Sequence, residues 1–220
     1  MGIDVHTITD GLDVSTLRPT QDHVLIRLIE KTMSSGGIHI ASREGSLATT
    51  CMIGKVLALG NGIYDEELGR YRPWDIKVGD WVLGMHYVGE RLEAIDKPKY
   101  RLVRSHGLWA KVTLKDEATM EVAKLEPRMQ CVLVEPQDET KWGSILLADG
   151  LNESSNRRGR VVSVGPGPWR AGQDHRDPVA VSPGQQVAFM RAAGAEIEVD
   201  GKWLRLMVED DIRCIVEGME

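Results

Sequence analysis

The sequence predicts an all-β fold made of two small β-barrels in tandem. The first observation is an internal duplication, because GKVLALGNG at residues 54–62 returns as GRVVSVGPG at residues 159–167, 105 positions later. The second is that each copy consists mainly of short segments rich in β-branched residues. The third is that glycine and proline separate these segments at regular intervals, which is typical of a small barrel. Two modules of about 100 residues also fit the 220-residue length.

The first copy is predicted to contain five short strands. It opens with HVLIRL at residues 23–28 and continues with KVLAL at residues 55–59. KVGDWVL at residues 77–83 is a turn that begins a strand, because its glycine adopts backbone angles that most residues avoid. A pair of strands at residues 100–103 and 108–112 closes the copy.

The second copy repeats this order, with predicted strands at residues 131–135, 160–164, 182–189, 203–208 and 211–216. Between the copies, residues 113–124 are rich in Ala, Glu, Lys and Met and contain no Gly or Pro. This composition favours a short helix, and we interpret the segment as a linker. The predicted organisation is therefore a flexible tail at 1–16, a barrel at 17–112, the linker at 113–124 and a second barrel at 125–218.

Composition excludes several classes of function. The net charge of −6 disfavours nucleic acid as the main partner, because binding phosphates requires a basic surface. Three cysteines without a CxxC motif indicate reduced thiols, and no histidines stand at metal-ligand spacing. No apolar run approaches membrane-spanning length, and no nucleophile, P-loop or dinucleotide motif is present. We expect a protein that is not an enzyme, with no metal, no cofactor, and no nucleic-acid or membrane partner.

Four motifs in order identify a resemblance in the first copy. They are RPTQDHV at residues 18–24, SSGGIHI at 34–40, GKVLALGNG at 54–62 and IKVGDWV at 76–82. Together they resemble the GroES-type co-chaperonins over nearly the whole copy. The second copy is more diverged, keeping GRVVSVG and a closing DDIRCIV at 210–216 but carrying PGQQV at 183–187. The resemblance covers residues 17–218 and implies two GroES-like barrels, each with a mobile loop and a roof hairpin.

The resemblance implies a co-chaperonin that forms a homo-oligomeric ring and caps a GroEL-type chaperonin, enclosing an unfolded client protein. ATP would be bound by the chaperonin, so no cofactor is expected here. Each mobile loop would dock apolar anchors into a groove on the chaperonin, and a polar loop of this kind orders only on docking. The expected chaperonin-binding residues are Gly36, Gly37, Ile38, His39 and Ile40 in the first loop, and Gly143, Ser144, Ile145, Leu146 and Leu147 in the second.

Residues 61–73 and 166–178 correspond to the roof hairpins of the family. The roof residues implied by this correspondence are Tyr64, Asp65, Glu66, Glu67, Trp169 and Arg170. Acidic side chains crowded around a ring axis would repel one another and leave an opening. The second tip carries arginine and tryptophan instead, so the two copies are expected to differ in function.

A second interpretation is a ring-forming structural or virion scaffold protein that keeps the barrels but has lost chaperonin docking. His39 in an otherwise apolar anchor and the divergence of the second copy favour it slightly. The tandem form resembles the two-domain co-chaperonin of chloroplasts, yet residues 1–10 do not look like a transit peptide. We therefore expect a bacterial or bacteriophage protein in the bacterial cytoplasm, with a mature chloroplast form less favoured.

His39 makes docking of the first loop dependent on pH. A charged imidazole is unfavourable in an apolar groove, so chaperonin affinity should be weaker at about pH 5.5 than at about pH 8, on either side of the ordinary histidine pKa. Titration of a chaperonin ring with the protein at both pH values measures this. Equal affinity at the two values would contradict a docking role for His39.

Overall fold

A computed structural model describes residues 14–28, 51–85, 87–92, 100–137, 141–142, 145–146, 158–190 and 193–217. β-strand is the main secondary structure of the described part, which confirms the predicted fold class of two tandem β-rich units. The first unit contains β1 (His23–Leu28), β2 (Cys51–Leu59), β3 (Tyr64–Asp65), β4 (Arg70–Tyr71), β5 (Trp81–Met85), β6 (Glu90–Leu92), β7 (Tyr100–Arg104) and β8 (Leu108–Asp116).

The second unit contains β9 (Glu121–Pro127), β10 (Cys131–Pro136), β11 (Lys141–Trp142), β12 (Ile145–Leu146), β13 (Arg158–Val164), β14 (Gln186–Phe189), β15 (Ala195–Val199), β16 (Lys202–Val208) and β17 (Ile212–Val216). Three short 3-10 turns accompany the strands, at Val14–Thr16, Ser105–Gly107 and Glu209–Asp211.

The two units share one topology. The first sheet has the strand order β6-β7-β1-β2-β5-β8-β9, and the second has β15-β16-β10-β13-β14-β17, with every neighbouring pair antiparallel. Even the irregularities repeat, because the register shifts between Leu25 and Ile26 in β1 and between Leu133 and Val134 in β10. The duplication in sequence is therefore a duplication of fold.

The short helix favoured for the linker at residues 113–124 is wrong, because this segment consists of two strands and a turn. β8 continues to Asp116, a tight turn follows, and β9 begins at Glu121. The Asp116 carboxylate accepts a hydrogen bond from the Ala118 N–H at 3.0 Å, which fixes the turn. Val122 and Leu125 are only 1% and 4% exposed. Burying these apolar side chains outweighs the local helical preference of Ala, Glu and Lys.

β9 belongs to both units. Its backbone pairs with β8 of the first unit, while its residues contact β10, β13 and β15 of the second. One core cluster consequently contains residues of both units, and we call this contact the junction. The buried residues of the cluster are Cys51, Ile53, Trp81, Leu83, Met85, Ala110, Val112, Val122, Leu125, Cys131, Leu133, Ala195, Ile197, Val199, Leu204 and Leu206.

Each barrel also has a core of its own. In the first barrel it surrounds Val24, Val82 and Val103, and in the second it surrounds Val132, Val187 and Met207. A smaller cluster of Leu25, Leu92 and Tyr100 lies on the far side of the first barrel, where Val14 and Leu17 pack against it. Residues 14–16, the end of the predicted flexible tail, thus form a 3-10 turn against this surface, and residues 1–13 lie outside the described part.

The glycine at the seventh position of each repeated motif, Gly60 or Gly165, is required by a close approach of two backbones. A Cβ on Gly60 would overlap the backbone of Thr20 and Gln21, and a Cβ on Gly165 would lie 2.8 Å from the carbonyl carbon of Arg128. The Gly60 and Gly165 N–H groups also donate to neighbouring backbone carbonyls at 2.9 and 2.8 Å. These contacts hold the chain where it leaves each barrel for its roof.

The shared core predicts that the two barrels unfold together. Leu206 is fully buried at the junction, so Leu206→Ala should lower the free energy of unfolding by about 2–5 kcal/mol while keeping one cooperative transition. Urea unfolding and calorimetry measure both. Val162→Ala, at a side chain 43% exposed, is the matched control and should change stability by less than about 0.5 kcal/mol. Two separate transitions in the wild type would contradict a shared core.

Candidate functional site

The segment that contains the first predicted docking loop leaves the barrel at a defined end. Leu28 at the end of β1 lies opposite Gly54 of β2, so residues 29–50 depart from and return to neighbouring strands. The other end of β1 adjoins the roof, because the Gly60 N–H donates to the His23 carbonyl at 2.9 Å. The six residues of β1 separate loop and roof by about 20 Å.

The second barrel repeats this arrangement. Pro136 at the end of β10 lies opposite Gly159 of β13, and the segment between these strands leaves at the same end of the barrel. Within it, β12 pairs antiparallel with β11, so that Trp142 lies opposite Ile145 and Lys141 opposite Leu146. The backbone of two predicted anchors, Ile145 and Leu146, is therefore part of a short hairpin.

The remaining predicted docking residues lie outside the described part of the chain. They are Gly36, Gly37, Ile38, His39, Ile40, Gly143, Ser144 and Leu147. Their role in docking stays a prediction from the resemblance. What the fold contributes is the position of the two segments, each attached at the end of its barrel opposite the roof.

The predicted roof residues lie on two hairpin-like turns. β3 and β4 form the first, where the rings of Tyr64 and Tyr71 meet edge to face with centroids 5.1 Å apart and both side chains remain exposed. In the second, Trp169 pairs with Arg176 through an isolated bridge. Glu66 and Glu67 are exposed on the first turn, and Arg170 is exposed on the second.

Arg72 joins the two roofs through buried polar contacts. Its side chain is 3% exposed and pairs with the Asp65 carboxylate of the same roof. The guanidinium also donates to the backbone carbonyls of Gln173 and Arg170 in the other roof, both at 2.7 Å. In return the Gly172 N–H donates to Asp65 at 3.2 Å. We call this set the roof contact, and it holds the two tips together.

An aromatic ring completes the roof contact. The Arg72 and Arg176 guanidinium groups lie 5.0 and 4.3 Å from the centre of the Trp169 ring, which stacks with both cations. Arg70 of the first roof also pairs with Asp174 of the second. Where the roofs meet, Arg70 and Arg72 thus pair with carboxylates, and Arg72 and Arg176 contact the indole of Trp169.

Asp65 is stabilised as a carboxylate by its neighbours. The Leu68 N–H donates to it at 3.0 Å, and this bond, opposed by partial burial and reinforced by Arg72, lowers the pKa of Asp65. The expectation that the acidic side chains of this roof crowd together and repel is therefore wrong for Asp65, whose charge is paired inside the chain. Glu66 and Glu67 remain the exposed acidic groups of the tip.

Arg128 connects the barrels below the roofs. Its side chain is 2% exposed, yet its Nη2 lies 2.6 Å from an oxygen of Asp75. Its Nη1 donates to the backbone carbonyls of Leu108 and Ser105 at 2.7 and 3.1 Å, and Nη2 also contacts the Ser105 hydroxyl at 3.1 Å. Because Arg128 follows β9 while its partners belong to the first barrel, it fixes one barrel against the other.

The described residues contain no group of three or more His, Cys, Asp or Glu side chains that could hold a metal ion. Burial raises the pKa values of Cys51 and Cys131 to about 12, so both thiols are protonated near neutral pH and are poor nucleophiles. No helix among the described residues is long and apolar enough to cross a membrane.

Arg72 and Arg128 were not singled out by the sequence analysis, although both connect the barrels. A position-by-position comparison of the copies contains a signal for each. Thr20 stands at the position of Arg128, and Asp177 at the position of Arg72. A large cation that only one copy carries indicates a contact that only one copy makes.

Comparison with known proteins gives a consistent result. The family model described as the chaperonin 10 Kd subunit matches residues 16–112 and again residues 124–216. Co-chaperonin GroES 1 of Rhodopirellula baltica is 38% identical over 97 residues, which is 43% of this chain and 94% of that protein. Co-chaperonin GroES of Pseudoalteromonas translucida is 39% identical over 93 residues, covering 42% and 93% respectively. That of Caulobacter sp. is 38% identical over 101 residues, covering 45% and 100%.

The roof contact should weaken in acid. Since the folded state lowers the pKa of Asp65, its carboxylate adds stability above the unfolded pKa of about 3.9 and loses it as the pH falls further. The melting-temperature difference between wild type and Asp65→Asn should therefore be constant from about pH 5 to 7 and shrink below about pH 4. Glu66→Gln, at an exposed carboxylate of the same tip, is the control. A difference independent of pH would contradict the charge pairing.

Proposed function

Because this chain belongs to the chaperonin 10 kDa subunit family through two tandem copies, we propose that it is a co-chaperonin that caps an ATP-driven GroEL-type chaperonin ring. The observation that carries the proposal is the double match of the family model, at residues 16–112 and 124–216. The relatives named co-chaperonin GroES support the co-chaperonin role, and each corresponds in length to one of the two copies.

The position of the loops supports docking. In both barrels the loop segment and the roof leave from opposite ends of the same strand pair. Loops placed at one end can contact a chaperonin while the roofs cover the chamber on the other side. The junction holds the two barrels together, so one chain presents two loops at once, and paired weak contacts raise the overall affinity.

The two loops have different proposed anchors. Ile38 and Ile40 flank His39 in the first, whereas the second presents the uninterrupted apolar run of Ile145, Leu146 and Leu147. An uninterrupted apolar run buries more area in a hydrophobic groove and carries no charge to desolvate. We therefore assign the larger share of the docking energy to the second loop.

The edge strands support the proposed ring. β17 ends the second sheet without a further neighbour among the described strands, whereas the equivalent β8 is covered by β9. The chain before β1 repeats the apolar and proline positions of β9: Val14, Leu17 and Pro19 stand where β9 has Val122, Leu125 and Pro127. This segment of a second copy is the proposed partner of β17, which gives a head-to-tail assembly that closes into a ring.

In the proposed cycle the energy comes from ATP that is bound by the chaperonin. The chaperonin binds ATP, the co-chaperonin closes the chamber over an unfolded client protein, and nucleotide turnover releases the ring. The chain itself contributes binding and closure and no bond-making chemistry. We propose the bacterial cytoplasm, or that of a phage-infected host, as its site of action.

Binding to a bacterial chaperonin ring tests the proposal. Co-sedimentation with ATP or ADP should show nucleotide-dependent binding of the wild type. Ile38→Asp and Leu146→Asp should each weaken it, Leu146→Asp by more, because a carboxylate in an apolar groove is costly. Val78→Asp changes an apolar side chain that is 59% exposed on the barrel and serves as the control.

The outcomes separate the interpretations. Normal binding by Val78→Asp together with loss in either loop variant establishes docking through that loop. Binding that neither loop variant reduces contradicts the assigned anchors. Wild-type protein that forms rings but binds no chaperonin contradicts the co-chaperonin role itself.

A further inference from the structure

Each barrel buries an arginine at the same place in its sheet. Arg101 of β7 lies opposite Ile26 of β1, and Arg205 of β16 lies opposite Val134 of β10. The two positions are equivalent, because Ile26 and Val134 each directly follow the register shift of their strand. Arg101 is 6% exposed and Arg205 is 7% exposed. A guanidinium stays charged when it is buried, so each of these side chains needs a partner that compensates its charge.

The second barrel supplies two partners for its arginine. Glu196 of β15 lies directly opposite Arg205, and its carboxylate forms an ion pair with the guanidinium. The centre of the Phe189 ring, on β14, lies 5.5 Å from the guanidinium carbon, which is within the range of a cation–π contact. The charge of Arg205 is therefore compensated within the chain.

The first barrel replaces both partners. Arg91 of β6 lies directly opposite Arg101, at the position that Glu196 occupies in the second barrel. Gly84 of β5 stands at the position of Phe189, since each directly follows the register shift of its strand. A Cβ on Gly84 would lie only 2.5 Å from a backbone carbonyl oxygen, so no ring fits there. Like charges directly opposite each other also destabilise a pair of strands.

The hydrogen-bonding capacity of Arg101 is largely unused. Its Nη1 donates to the Val88 carbonyl at 2.7 Å, but its Nε is buried without a hydrogen-bond partner. No carboxylate among the described residues pairs with Arg101 or Arg91. Burial and the charge of Arg91 both lower the pKa of Arg101, which agrees with this geometry. Two neighbouring cations, one of them buried, thus lack a compensating negative charge.

We propose that Arg91 and Arg101 bind a doubly charged oxyanion such as inorganic phosphate, close to the end of the first barrel from which residues 29–50 leave. A guanidinium binds the oxygens of such an anion through charge-assisted hydrogen bonds, and two cations balance its two charges. Arg91 is exposed, so the anion can reach the pair from solvent. In the second barrel, the carboxylate of Glu196 takes the place of the anion. The site does not depend on chaperonin docking or on the proposed ring.

Titration of the full-length protein with phosphate tests the site. Isothermal titration calorimetry should show saturable binding of inorganic phosphate to the wild type, which chloride at equal ionic strength does not reproduce. Arg91→Gln removes one cation and should raise the dissociation constant about tenfold or more. Arg91→Glu places a carboxylate opposite Arg101, as in the second barrel, and should abolish binding. Arg101→Met removes the buried charge at similar side-chain length and should also abolish it.

Thermal unfolding measures the effect of the anion on stability. Saturating phosphate should raise the melting temperature of the wild type and leave that of Arg91→Glu unchanged, because a ligand stabilises only the state that binds it. Without phosphate, Arg91→Glu should melt at a higher temperature than the wild type. Lys77→Glu makes the same change of charge at another exposed side chain of the first barrel. This matched control should keep the full phosphate response.

Hydrogen exchange locates the bound anion. Phosphate should slow the exchange of backbone amides in β6 and β7, because an anion held by both strands opposes their local opening. The amides of β15 and β16 form the control within the same chain. Their exchange should not change, since this strand pair already contains the carboxylate of Glu196.

The inference is overturned if the wild type shows no saturable phosphate binding. Equal phosphate affinity in the wild type, Arg91→Gln and Arg91→Glu would contradict the assigned residues, as would slower exchange in β15 and β16 instead of β6 and β7. An equal rise in melting temperature for the wild type and Arg91→Glu would be a general salt effect and would also contradict the site. None of these measurements involves a chaperonin, so a failure of docking cannot be mistaken for a failure of this site.

Discussion

The pairing of β8 with β9 is the interaction on which the rest of the molecule depends. It joins the last strand of one barrel to the first strand of the next, and it brings the apolar sides of both into one core. Two small barrels that would each bury a modest core thereby share a larger one, which favours cooperative folding. The four-residue turn after Asp116 keeps the pairing within a single chain.

Polar contacts then fix the orientation that the shared core permits. Apolar packing tolerates small rotations, whereas Arg128 must meet a carboxylate and two backbone carbonyls at once, and Arg72 must meet two carbonyls and Asp65. Each guanidinium is almost fully buried, so leaving any of these bonds unmade would be costly. The combination holds two roofs side by side and places both loop segments at the opposite end. That arrangement is what the proposed capping requires.

Local sequence patterns predict the fold class, but they do not predict the contacts between the two barrels. Strands bounded by glycine and proline, and the repeat of GKVLALGNG as GRVVSVGPG, predict two tandem all-β units correctly. The prediction of a helix at residues 113–124 fails because the helical preference of Ala, Glu and Lys is a local property. The burial of Val122 and Leu125 depends instead on contacts with the other barrel. Arg128 could be found only by asking why one copy has a large cation where the other has Thr20. The docking loops rest on the family resemblance, since their chemistry appears only with a partner.

Electron cryomicroscopy of the protein bound to a chaperonin ring with nucleotide tests the central claim most directly. The account predicts paired barrels joined through β8 and β9, with Arg128 in contact with Asp75, both loop ends directed toward the chaperonin and both roofs directed away from it. Barrels separated from one another at the turn after Asp116, or roofs facing the chaperonin, would contradict it.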